Sequence, residues 1–311
     1  MDKAAYYSII FITVCIFYQS RILGKNIKTD HSNSKYLAED SLNIKSNESY
    51  KEPEVNWHQM LTNIPGDYYH FFKNTLDTKE LPSLFAVSLL TGSLLAIDQG
   101  GWKYQQKIFK KVKFDRDISG AAITMGDGKY QLLSSALFAS AGIIFNDKTA
   151  LRTGSNIAEA VISTGLLVQV LKRITGRESP YASSESGGDW LFMPSIKEYQ
   201  KNQPKYYSFP SGHLSTATAV VTVIANNYPN DKWIKPVGYS LLGILSFSLV
   251  NEGMHWYSDF PLAFLLGYTM GNIIAPAENN VNKSQQQSNT HLILSPSYSD
   301  NKIVLNAVYS F

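Results

Sequence analysis

Six long apolar stretches punctuate the chain: "LPSLFAVSLLTGSLLAID" (81–98), "LLSSALFASAGIIF" (132–145), "SNIAEAVISTGLLVQVLKRI" (155–174), "HLSTATAVVTVIANNY" (213–228), "IKPVGYSLLGILSFSLVNEG" (234–253) and "SDFPLAFLLGYTMGNIIA" (258–275). They are too long for strands and have helical composition. Ser155 and the Pro210-Ser211 pair stand where helix N-termini need caps. Gly, Pro and Asp-Gly punctuation separates them, as in "MGDGK" (125–129). Ahead of them, "WHQMLTNIPGDYYHFF" from Trp57 reads as an amphipathic helix and turn. The pattern predicts an all-α bundle of about six core helices within a domain spanning 56–278.

The ends read differently. Residues 1–20 hold a short apolar run, the length of a signal-peptide core or an N-terminal anchor. Residues 21–55 are polar and read as a disordered linker. Residues 279–311 open with a polar linker, "NNVNKSQQQSNT", and end in an alternating pattern that predicts a short C-terminal β-hairpin. Most apolar cores of the bundle fall short of the about 20 residues a spanning helix needs. Frequent Ala, Ser, Gly and Thr suit close helix packing in water or lipid, so a globular bundle and partial membrane embedding both fit.

Composition narrows the function. A formal net charge of +3 with no dense Lys/Arg stripe argues against a nucleic-acid partner. The single cysteine, Cys15, allows no internal disulfide and no thiolate metal cage. No HExxH or other cluster with metal-ligand spacing is present, so no metal and no cofactor is expected.

Three segments carry candidate chemistry. In "LKRITGRESPY" (171–181), Lys172, Arg173 and Arg177 gather where a helix ends at Gly176; the same cations also suit the negative end of a helix dipole. In "YSFPSGHLSTATAVV" (207–221), a Pro-Ser-Gly turn enters a helix and aims backbone N–H groups at one point, with Ser211 adding a hydroxyl and His213 in the first turn. In "NEGMHWYSDFPLA" (251–263), His255 and Asp259 are spaced to share one helix face, where a carboxylate on one ring nitrogen leaves the other free. Each segment alone also has a purely structural reading.

In this order and separation the three segments resemble the signature of the phosphatidic acid phosphatase type 2 and vanadium haloperoxidase superfamily. "KRITGRESP", "FPSGH" and "HWYSD" look most like its bacterial members, and the resemblance covers about residues 80–275. It implies that His255 attacks phosphorus to form a phosphohistidine, that Asp259 orients His255, and that His213 protonates the leaving oxygen and then activates water. Lys172, Arg177, Ser211 and the N–H of Gly212 would hold phosphoryl oxygens. Two arginines of the signature are absent: Ser179 and Leu249 stand in their places. Neither can form a bidentate phosphate clamp. Lys201 and Lys205 precede the Pro-Ser-Gly-His turn and could substitute, or simply belong to a solvated loop.

The resemblance thus implies a metal-independent phosphatase acting on a phosphomonoester or pyrophosphate. The substrate would be a small molecule or a lipid, and the site would be the bacterial envelope, in the periplasm or at a membrane. A non-catalytic binding or structural member of the fold is the alternative. A vanadate-dependent peroxidase is a further one.

Overall fold

The computed structural model describes residues 59–109 and 113–277, with side chains from 60–109 and 117–277, and the backbone of 291–299 and 302–310. The expected signal or anchor segment, the 21–55 linker and the 279–290 linker lie outside the described residues. Of the C-terminal tail, the backbones of His291–Ser299 and Lys302–Ser310 pair antiparallel, while the turn between them lies outside the described residues.

The described residues hold eleven α-helices: α1 (Gln59–Thr62), α2 (Ile64–Thr75), α3 (Leu81–Leu95), α4 (Asp98–Phe109), α5 (Lys113–Gly126), α6 (Gly128–Ile144), α7 (Lys148–Thr175), α8 (Ile196–Lys201), α9 (Gly212–Asn227), α10 (Ile234–Asn251) and α11 (Phe260–Ile274). The six core helices of the sequence reading are α3, α6, α7, α9, α10 and α11. Three further helices, α4, α5 and the short α8, were not foreseen. The "MGDGK" stretch is not an extended loop: Asp127 alone separates α5 from α6, and its carboxylate accepts the N–H of Lys129 as an N-cap.

Side-chain caps set several of the helix starts. Asp147 accepts the N–H groups of Thr149 and Ala150 to open α7. Gly176 closes it in the left-handed region at φ 54°, and a Cβ there would lie 1.8 Å from the carbonyl oxygen of Leu191. Only glycine fits that position. Ser211 opens α9 by accepting the N–H of Leu214.

Helix α9 is the centre of the bundle, packed against α7, α11 and α10. Ile157, Ala160 and Val161 of α7 meet Ala219, Val220 and Val223 of α9. Leu214 of α9 meets Leu242 of α10 and Ala263 of α11. Gly267 lets α11 approach α9 closely, since a Cβ there would sit 2.1 Å from the Ser215 carbonyl oxygen. Phe71 of α2 and Val168 of α7 close on Leu266 and Met270 of α11. Buried apolar side chains of this size each contribute about 1.5–3 kcal/mol. The bundle therefore fixes the C-terminal end of α7 beside the N-terminal end of α9, where two of the three candidate segments lie.

Candidate active site

Backbone hydrogen bonds staple the three segments together. Arg177 bridges to Trp190 on one side and Tyr207 on the other. Ser208 N–H donates to the Arg177 carbonyl at 3.0 Å, and Ser211 N–H to that of Asp259 at 3.2 Å. Tyr181 N–H donates to the Gly253 carbonyl at 3.0 Å. Segments far apart in sequence thus become one floor, built from irregular backbone whose polar groups are paired.

His255 and Asp259 do not share an α-helix, as their spacing had suggested. Residues 255–256 are irregular, and Tyr257–Asp259 forms a short 3-10 turn before α11. The pair still meets, with His255 Nδ1 at 3.3 Å from Asp259 Oδ2. Trp256 N–H and the Ser208 hydroxyl donate to the same oxygen, at 2.8 and 2.6 Å. Both residues are fully buried. His255 Nε2 has no hydrogen-bond partner among the described residues. A buried ring nitrogen without a partner is costly, so it marks a place where another group belongs.

Arg177 departs from its expected role on the phosphate. Its Nη1 donates to Asp259 Oδ1 and to the Ser258 hydroxyl, each at 2.6 Å; its Nη2 donates to Asp98 Oδ2 at 2.8 Å and to the Gly187 carbonyl at 2.9 Å. The rings of Trp190 and Trp256 lie 4.8 and 5.5 Å from the guanidinium. The physical reason is burial: two carboxylates in a sealed site need a cation, and Arg177 is the one that reaches both. It anchors Asp259 instead of presenting its terminal nitrogens to a substrate. Burial alone would raise Asp259, but Arg177 and His255 hold its carboxyl below the usual range.

Lys172 sits one helical turn inside the end of α7 and is buried, its Nζ 4.9 Å from the centre of the Tyr207 ring. A Cβ at Gly212 would lie 3.4 Å from this Nζ, so the ammonium faces the N-terminus of α9. No salt bridge engages it among the described residues. Burial pushes Lys172 down to about 8, with Asp259 opposing. His213 lies across from His255, ring centres 6.3 Å apart. Burial, then His255 and Lys172, pushes it down to about 4, with Asp127 opposing.

The structure therefore brings Lys172, Ser211, Gly212, His213, His255 and Asp259 together and gives Arg177 a supporting place. Ser179 and Leu249 are fully buried; the Leu249 carbonyl accepts the N–H groups of Met254 and His255. Lys201 and Lys205 are exposed and form no ion pair among the described residues. Asp98, Ser208, Ser258 and Trp190 escaped the sequence reading. Asp98, a carboxylate directly after the apolar run 81–97, was the one such signal available. Among the described residues no group of three or more His, Cys, Asp or Glu side chains could hold a metal.

Comparison with known proteins agrees with the motifs. Residues 154–283 match the family model of the PAP2 superfamily, and that stretch contains every expected site residue. This stretch of the chain is thus similar to the PAP2 superfamily. Among solved structures, Aquifex aeolicus LpxE is similar at 16% identity and a TM-score of 0.43, over 57% of this chain and 94% of that one. A transmembrane PAP2 type phosphatidylglycerolphosphate phosphatase from Bacillus subtilis is similar at 17% identity and a TM-score of 0.42, over 72% of this chain and 98% of that one. No curated protein matches the chain.

Proposed function

We propose that the protein is a phosphatase that hydrolyses a phosphomonoester or pyrophosphate through a phosphohistidine on His255. The observation that carries this reading is the open Nε2 of a buried His255 whose Nδ1 is held by Asp259. Burial lowers the His255 pKa against the opposing pull of Asp259, so the ring is a neutral nucleophile near pH 7.

In the first step Nε2 attacks phosphorus, the bond to the leaving oxygen breaks, and a proton from His213 goes to that oxygen. Asp259 stabilises the positive charge developing on His255. In the second step His213 takes a proton from water, water oxygen attacks phosphorus, and the N–P bond breaks to release phosphate. Lys172, the Ser211 hydroxyl and the α9 N-terminus stabilise the charge on the phosphoryl oxygens. The loss of the two signature arginines removes charge-assisted contacts, so turnover is expected to be slow on poor leaving groups.

The apolar outer faces favour a lipid-linked phosphate and a membrane-associated protein in the bacterial envelope. Helix α10 is long and apolar enough to cross a membrane. Hydrolysis of an aryl phosphate in the presence of chelator tests the reading directly. Turnover is expected to fall by about a thousandfold or more in His255→Ala, in line with loss of a covalent nucleophile. Equal turnover in the variant would remove His255 from the mechanism.

A further inference from the structure

Beside the phosphate-facing groups lies a shallow pocket of about 500 Å³, wide open to the surface and lined by Gly120, Ile123, Tyr181, Tyr207, Glu252 and Met254. Tyr207 joins the two. Its ring stands 4.9 Å from Lys172 Nζ, and its hydroxyl lies 3.2 Å from that of Tyr181. Met254 immediately precedes His255. A phosphoryl group held at Lys172 would therefore have this pocket next to it, free for the rest of the substrate.

The lining is apolar and aromatic, with Glu252 its single charged residue. Glu252 is exposed and has no ion-pair partner among the described residues. A carboxylate on this lining would repel a phosphate dianion and attract a cation. Positive charge at the other end of the substrate would turn that repulsion into a gain. Tyrosine faces also attract a cation, through the ring quadrupole.

We propose that this pocket receives the leaving group of the substrate and that Glu252 selects leaving groups bearing a cationic amine over neutral ones. The term leaving group rests on the phosphatase reading; the recognition itself does not.

Two non-hydrolysable ligands of equal length separate the claims: 3-aminopropylphosphonate and n-butylphosphonate, titrated calorimetrically into the full chain in neutral detergent. The amine is expected to bind about five- to tenfold more tightly, the combined worth of one partly exposed ion pair and a cation–π contact. Glu252→Gln is expected to abolish that preference while leaving n-butylphosphonate affinity unchanged or slightly improved, which also reports that the variant is folded. Equal affinities in the parent, a preference that survives in Glu252→Gln, or failure of both ligands to bind would overturn the proposal. Aryl phosphate turnover is measured on the same sample. An amine preference without turnover keeps the pocket assignment and removes the phosphatase reading; turnover without the preference does the reverse.

Discussion

Burial shifts the two ionisable groups that flank His255 in the same direction, with different consequences. Lys172, at about 8, keeps most of its charge at pH 7, whereas His213, at about 4, is neutral. In the proposed mechanism a neutral His213 suits the second step, where it is a base, but the first step needs its proton. The rate constant kcat/KM, which reports the free enzyme, is therefore expected to rise as pH falls from 7 toward 4, and His213→Ala should flatten the profile. The same depressed pKa costs stability, because the unfolded histidine, with its ordinary value of 6.5, binds a proton that the folded one refuses. That cost begins as pH falls below about 6.5 and grows down to about 4, so rates need short assays on protein shown to be folded. Arg177 makes the other residue-scale prediction. Arg177→Met would leave Asp98 and Asp259 buried without their cation, and should destabilise the fold by about 3–5 kcal/mol in chemical denaturation. An unchanged midpoint would mean that Arg177 is not the anchor its contacts describe. The three motifs were legible in sequence because their residue types are chemically distinctive. The role of Arg177 was not, because its partner Asp98 lies on α4, 79 positions away.

Helix α7 links this site to a second buried charge problem. Glu159, inside α7, faces Asp67 of α2, and both carboxyls are buried. Burial first, and then Asp67, pushes Glu159 up to about 8. An acid whose folded pKa lies above its unfolded value of 4.5 stabilises the fold only while protonated. Stability should then decline as pH rises from about 4.5 to about 8, and Glu159→Gln should remove that decline. Thermal unfolding of both proteins across this range checks it; identical slopes would count against a shared proton. At this scale hydrophobic runs located six core helices, although α7 starts at Lys148 behind the Asp147 cap, so that Ser155, expected as a cap, lies inside it. Helices α4 and α5 were missed because polar residues such as Gln105 interrupt their pattern. Gln105 is buried by packing on α10, where its side-chain N–H donates to the Phe247 carbonyl at 2.9 Å.

Several helices among the described residues expose large apolar side chains. Helix α3 contains no charged residue, and Phe85 and Leu89 on it are 70% and 61% exposed. Leu133, Leu137 and Ile144 of α6 and Leu241 and Ile244 of α10 are exposed too. Exposed apolar area of this kind suits a protein or membrane contact. Full-length protein extracted in Triton X-114 is expected to enter the detergent phase on warming; recovery in the aqueous phase would argue against membrane association. The sequence reading held both solvents open, because a helix apolar on all sides looks the same whether protein or lipid covers it.

By itself the sequence determined the helical class, the core helices and the candidate residues for the proposed phosphoryl chemistry, because local periodicity and side-chain chemistry are carried by the chain directly. Only the tertiary structure decided which of those residues meet. It turned Lys172 inward toward α9 and left His255 Nε2 open. It also spent the terminal nitrogens of Arg177 on two carboxylates. The physical reason is that burial sets the cost of every unpaired charge, and burial depends on contacts between segments far apart in the chain.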